Sequence, residues 1–272
     1  MSLELDARQR AMLEEIGVRV WSPLGAPVAV AGMPAGTAAP APDRLAAPDD
    51  RAARPTAPPA RPTPAAVTLQ PLPADIAGLD WAGLQQAVAH CQACDLCQSR
   101  QNTVFGIGDP QARWLVVGEA PGEHEDRQGE PFVGAAGQLL DNMLKAVGLH
   151  RAGSGAQGVY ITNVLKCRPP ANRNPQPPEV AQCAPYLRRQ VELLQPQVIL
   201  ALGRFAAQSL LQGSVPDVAT IPLGKLRGQI HSYQGVPVVV SYHPAYLLRT
   251  PRDKARAWDD LCLAQEVMRA SR

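Results

Sequence analysis

Aromatic side chains are scarce in this chain: they make up 4% of 272 residues, and only three of them are phenylalanine. Long apolar runs are lacking as well, so no segment reads as a bilayer span. The N-terminal stretch MSLELDARQRAMLEEIG is charged throughout instead of dividing into basic and apolar regions, which argues against an export signal. Neither sign of charge is in excess. A net charge of +2 is too small for a globally basic nucleic-acid domain, so any phosphate contact has to be local. The expected compartment is the cytoplasm, with no membrane partner and a monomeric state. In that reducing setting the six cysteines point to metal or cluster ligation ahead of disulfides.

What is present is a hydrophobic fraction of 46%, enough for one α/β core with a small appendage. Residues 1–22 hold a short candidate helix with Leu5, Met12, Leu13 and Ile16 on one face, a shape that suits either self-packing or a protein partner. Residues 23–75 shift to alanine and proline, as in AGTAAPAPDRLAAPDDRAARPTAPPARPTPAA. Proline removes backbone donors and blocks both helix and ladder, so this stretch is expected to be a disordered tether. Its root-mean-square reach would be on the order of 40 Å.

Residues 76–272 carry the folded domain. Short apolar runs at 114–117, 158–164 and 197–202, with a later pair at 228–233 and 236–241 around Gln234-Gly235, read as strands. Helical patterns fall at 80–90, 138–147, 179–194, 204–211 and 253–270. The alternation implies an α/β fold with a mainly parallel sheet covered on both faces. In such sheets ligands bind at the carboxyl ends of the strands. The stretch following the first strand, GEAPGEHEDRQGEPFVGAAGQLL, is such a strand-end loop, with Glu119 at the tip and Phe132 further on. Two more strand ends carry polar residues, Asn163 and the Tyr242-His243-Pro244 run. If the strands are parallel neighbours, Glu119, Asn163 and His243 converge on one rim.

Cys91 and Cys94 form a C-x2-C pair, and Cys167 and Cys183 flank a proline-rich loop. Four thiolates from two separated segments can hold zinc or an iron–sulfur cluster. Cys97 also lies three residues after Cys94, so spacing leaves open which two of the three N-terminal cysteines are ligands. Cys262, inside the last helical pattern, reads as a core residue.

The motifs GEAPGEHEDRQGEPFVG, VYITNVLKCRPPANRNPQPPE and HPAYLLR, in that order, resemble those of the family 4 iron–sulfur uracil-DNA glycosylases, over about residues 91–269. The resemblance implies a three-layer α/β/α fold with a four-stranded mainly parallel sheet. It also implies a [4Fe-4S] cluster held by Cys91, Cys94, Cys167 and Cys183, with Cys97 a bystander. The implied substrate is uracil-containing DNA, single- or double-stranded, from which uracil is flipped out and hydrolysed to leave an abasic site.

On the same basis Phe132 would stack on the base and Asn163 would read its edge. His243 would donate to uracil O2, and Glu119 would orient water or stabilise the sugar cation. Ala120 stands in the substrate site where the best-studied uracil glycosylases carry an aspartate, which speaks against a simple general base. Leu247, four residues after His243, is the candidate wedge for the vacated stack, with core packing as its alternative. Arg168, Arg173, Lys225, Arg227, Arg249 and Arg252 are candidate phosphate contacts. A related branch is trapped covalently through a histidine in a basic insertion after the second motif, and CRPPANRNPQPPE has no histidine. A DNA-binding or polymerase-associated accessory module, with an inactive or uracil-trapping pocket, is the alternative of another class.

Overall fold

The computed structural model describes residues 69–270. The expected N-terminal helix and nearly all of the Ala/Pro-rich stretch lie outside the described residues. The domain begins earlier than composition suggests. Gln70 N donates to the Gln92 carbonyl at 3.0 Å, and Leu72 packs against the cluster of Ile76, Leu84, Val88, Phe105 and Tyr186. Chain assigned to the tether up to residue 75 is therefore already part of the fold by about residue 70.

The elements in chain order are α1 (Trp81–Ala89), α2 (Leu96–Ser99), β1 (Ile107–Gly108), β2 (Trp114–Gly118), α3 (Glu123–Gln128), α4 (Ala135–Ala146), β3 (Tyr160–Asn163), α5 (Pro177–Leu194), β4 (Val198–Leu202), α6 (Arg204–Leu211), α7 (Leu223–Leu226), β5 (Ile230–Tyr233), β6 (Val236–Ser241), α8 (Pro244–Arg249) and α9 (Lys254–Ala270). They form one sheet in the order β1-β3-β2-β4-β6-β5. The inner four strands are parallel, and the edges β1 and β5 are antiparallel to their neighbours. The expected four-stranded sheet is thus the parallel centre of a six-stranded one. β1 spans two residues, too few to show a period, and β5 is the outer arm of a hairpin. That hairpin turns through Gln234 and Gly235, both at positive φ (51° and 80°), which matches the right-handed twist of its strands.

Burial on both faces explains why the central strands are continuous apolar runs. Val116, Ile161, Leu200 and Val239 point to one side, where Leu140, Met143 and Leu144 of α4, Leu247 of α8 and Leu261 of α9 cover them. Leu115, Val117, Ile199, Ala201, Val238 and Val240 point to the other, against Leu187 and Val191 of α5 and Ala207 and Leu210 of α6. The result is the three-layer α/β/α arrangement.

Two helices start earlier than their apolar period suggests. α5 begins at Pro177 because prolines are tolerated in a first turn, where the missing N–H has no intrahelical partner. α4 begins at Ala135 after Gly134, which leaves Gly137 inside the helix. A side chain there would set its Cβ 1.7 Å from the Phe132 carbonyl oxygen. Gly137→Ala gains about 1 kcal/mol of helix propensity, but it collides with backbone that cannot swing away. We expect a net loss of about 2 kcal/mol in urea unfolding; an unchanged midpoint would contradict this close approach.

Candidate active site

The parallel register puts Gly118 level with Asn163 and Leu202 level with Ser241. The chain leaving β2 therefore presents Glu119 beside Asn163, and the chain leaving β6 presents His243. Gly203 lies at φ 89°, and a Cβ on it would come within 3.0 Å of the His243 Cβ. Glycine at this turn admits the histidine. A cleft of about 490 Å³ opens at this rim, lined by Glu119, Ala120, Phe132, Asn163 and His243, with Arg249 among the other lining residues.

The strand-end loop is ordered by its own acids. Glu125 Oε2 accepts from Gly122 N at 3.0 Å, and its Oε1 accepts from Val133 N at 3.0 Å and Gly134 N at 3.4 Å. Asp126, buried, accepts from Gln101 N at 2.9 Å and Asn102 N at 3.2 Å. Sequence alone reads these carboxylates as solvated; their role comes from loop N–H groups that no pattern announces. Phe132 is folded back over the end of β2. A Cβ on Gly118 would lie 2.3 Å from Asn163 Oδ1 and 2.6 Å from the Phe132 ring, so glycine alone lets ring and amide meet there.

The Phe132 ring stacks on His243 with centroids 5.5 Å apart at 28°. His243 caps α8, its Nδ1 accepting from Ala245 N at 3.2 Å. With Nδ1 spent as an acceptor, a neutral ring carries its proton on Nε2. Burial, reinforced by the nearby Arg249 cation, lowers the His243 pKa to about 4, against the opposing pull of Glu125. Burial raises the pKa of Glu119, with Arg204 opposing.

Asn163 is buried and is held from behind. The Lys166 ammonium donates to the Asn163 backbone carbonyl at 2.8 Å, to Thr162 Oγ1 at 2.6 Å and to Gln190 Oε1 at 2.6 Å. Sequence reading passed over this lysine, since nothing in KCRPP marks it as buried. Burial holds its pKa down to about 7, with the neighbouring Cys183 and Cys167 opposing.

Cys91, Cys94, Cys167 and Cys183 line one small interior void behind this network, together with Leu165, Lys166 and Tyr186; Cys97 does not line it. Among the described residues no three His, Cys, Asp or Glu side chains converge closely enough to hold a single metal ion. Arg100 Nη1 donates to Cys167 Sγ at 2.9 Å, and Lys166 N donates to Cys183 Sγ at 3.3 Å. Burial pushes the Cys167 thiol up to about 11 and the Cys183 thiol up to about 12. Ala120, which lines the cleft, belongs to the same apolar cluster as Leu165, which lines the cysteine void.

Two expected roles are corrected. Leu247 is 1% exposed within the core under α8, so it cannot enter DNA without unpacking that helix; the next residue, Leu248, is 44% exposed. Arg227 is not free for phosphate. It bonds Asp260 through two nitrogens at 2.7 and 2.9 Å, and lies 4.3 Å over the Tyr242 ring. Arg173 pairs with Glu179, and Arg168 bonds Asn172 at 2.7 Å, so both brace the proline-rich loop. Lys225, Arg249 and Arg252 are exposed.

Residues 105–262 match the family described as the uracil DNA glycosylase superfamily. The chain is 46% identical over 169 residues to a type-4 uracil-DNA glycosylase of Archaeoglobus fulgidus, spanning 61% of this chain and 81% of the relative. It is 40% identical over 191 residues to a type-4 uracil-DNA glycosylase of Pyrobaculum aerophilum, spanning 68% and 93%. A type-5 uracil-DNA glycosylase of the same organism is 36% identical over 150 residues, spanning 52% and 64%. The chain belongs to the uracil DNA glycosylase superfamily, and within it to the type-4 family.

Burial favours the neutral form of both groups: it raises the Glu119 carboxyl above its ordinary range and lowers the His243 imidazole to about 4. Nitrogen-15 NMR of the free protein at pH 5.5 is expected to show a neutral His243 with its proton on Nε2. An imidazolium spectrum at that pH would contradict the burial argument.

Proposed function

We propose that this protein is a monofunctional uracil-DNA glycosylase of base excision repair. The carrying observation is the convergence of Glu119, Phe132, Asn163 and His243 on one cleft at the carboxyl ends of the parallel strands. A base inside a duplex is out of reach, so the enzyme has to extrude deoxyuridine at a cost of a few kcal/mol. Stacking on Phe132 offsets that by about 1 to 3 kcal/mol. The Asn163 carboxamide accepts from uracil N3–H and donates to O4. Cytosine presents the opposite pattern at both atoms, so a fixed amide leaves it unpaired.

Breaking the N-glycosidic bond leaves negative charge on uracil and positive charge on the sugar. A neutral His243 donates its Nε2–H to uracil O2 and stabilises the departing anion, a contribution of about 2.7 to 4 kcal/mol by analogy with oxyanion donors. Glu119, beside Arg204 and partly desolvated, stabilises the sugar cation or orients water. Ala120 offers no second carboxylate, so electrostatic stabilisation by Glu119 carries more of the burden than base catalysis. Leu248 takes the wedge role that the burial of Leu247 rules out. Arg249 at the cleft, with the exposed Lys225 and Arg252, contacts phosphates without reading sequence, while Arg168 and Arg173 hold the proline-rich loop beside it.

The four cysteines at one void would hold a [4Fe-4S] cluster. The donor set suits it: the thiols are too spread for one ion, burial makes Cys94, Cys167 and Cys183 costly to ionise without a cation, and Arg100 and the Lys166 amide already donate to two sulfurs. When bound, the cluster supplies a structural cross-link between the 91–94 segment and the loop bearing Arg168 and Arg173. Hydrolysis needs no electron. Among the described residues no helix is long and apolar enough to cross a membrane. We place the protein in the cytoplasm, acting on DNA as a monomer, with the N-terminal segment as the candidate contact for a protein partner.

Two measurements test this reading. Single-turnover assays on uracil-containing oligonucleotides are expected to give free uracil and alkali-labile abasic DNA, with a loss of about ten-fold or more in both Phe132→Ala and Asn163→Asp. Unchanged rates in both variants would remove these residues from the mechanism, and a covalent adduct without release would move the protein to the trapping branch. Protein purified anaerobically is expected to be brown and to carry iron. A colourless, zinc-loaded protein would refute the cluster assignment.

A further inference from the structure

We propose that Arg151 is a positioning residue for base excision, holding the Phe132 backbone in the conformation that aims its ring at the cleft. The inference rests on the reading of Phe132 as the base-stacking ring.

Phe132 sits at φ 55°, in the left-handed region where a bulky side chain is strained. Such a conformation persists only where its surroundings over-determine it. Arg151 supplies that restraint from one side. Its Nη1 donates to the Pro131 carbonyl at 3.1 Å and its Nη2 donates to the Phe132 carbonyl at 2.9 Å. The guanidinium is locked in turn by Asp141, which accepts from Nε at 2.7 Å. On the other side Glu125 accepts from Val133 N and Gly134 N. The carbonyls at 131 and 132 and the amides at 133 and 134 are therefore all bonded to side chains.

The geometry is specific to arginine. Three nitrogens of one planar fork engage two carbonyls and a carboxylate at once. A lysine offers a single nitrogen and cannot span them. Arg151 does not itself line the cleft, so any effect on excision has to pass through the segment it holds. The left-handed turn at Phe132 is also what brings the ring to within 2.6 Å of a Cβ built on Gly118, beside Asn163. Released from Arg151, the segment relaxes toward ordinary φ and the ring leaves that position.

The test is a double-mutant cycle read by single-turnover excision from duplex oligonucleotides. Arg151→Ala is expected to slow excision about 10- to 100-fold, the scale of a misplacement near 1 Å. Arg151→Lys is expected to recover only a small part of that loss. In a Phe132→Ala background, Arg151→Ala is expected to add almost nothing, because the ring it positions is gone. Asp141→Asn, which leaves the guanidinium in place but loosens its lock, is expected to give a smaller loss that also vanishes in Phe132→Ala. It carries the cycle if Arg151→Ala does not fold. A purely structural role would instead lower thermal stability and slow both backgrounds equally. Full additivity, or no loss on changing Arg151, overturns the proposal while leaving Phe132 as the stacking ring. If Phe132→Ala itself excises at the original rate, the stacking reading falls and this proposal falls with it.

Discussion

A parallel sheet buried on both faces leaves its chain few places to meet a ligand, and that constraint governs this molecule. Side chains along β2, β3, β4 and β6 are consumed by the two apolar layers. Polar function is pushed to the strand ends, and in-register parallel pairing brings those ends to one rim. Glu119, Asn163 and His243 are neighbours because the strands before them are aligned. No direct bond among the three holds them together.

At that rim, space is as decisive as polarity. Gly118, Gly137 and Gly203 each stand where a Cβ would strike another group of the site: the Asn163 amide and Phe132 ring, the Phe132 carbonyl, and His243. The cleft is also buttressed from behind. Lys166 ties the Asn163 carbonyl to Thr162 and Gln190, and its own backbone amide bonds Cys183. The four-cysteine site and Asn163 are thus joined through one buried lysine.

Much of this was legible in the sequence. WLVVG and VILAL announce buried parallel strands through their unbroken apolar character, VYITN through its β-branched and aromatic residues, and the polar residues at or just beyond the strand ends mark the rim. What stayed hidden depends on three-dimensional packing. β1 and α7 are too short to carry a period. The acids of α3 look solvated in sequence, yet Glu125 and Asp126 hold loop amides. Leu247 and Leu248 are adjacent apolar residues, and only the docking of α8 decides that the first is core and the second exposed. Arg227 looks like any surface cation until α9 brings Asp260 beneath it. Lys166 and Arg151 gain their meaning from backbone carbonyls, which sequence patterns do not display.

The central claim is that this rim is a uracil site in which Asn163 and His243 act on one bound base. Titration of the protein with free uracil, followed by NMR of the Asn163 side-chain amide and the His243 ring nitrogens, tests it most directly. The account predicts that both sets of signals shift together along one saturable isotherm, with His243 remaining neutral and protonated on Nε2. Uracil that binds without moving the Asn163 amide, or that leaves both residues unperturbed at saturation, would contradict it.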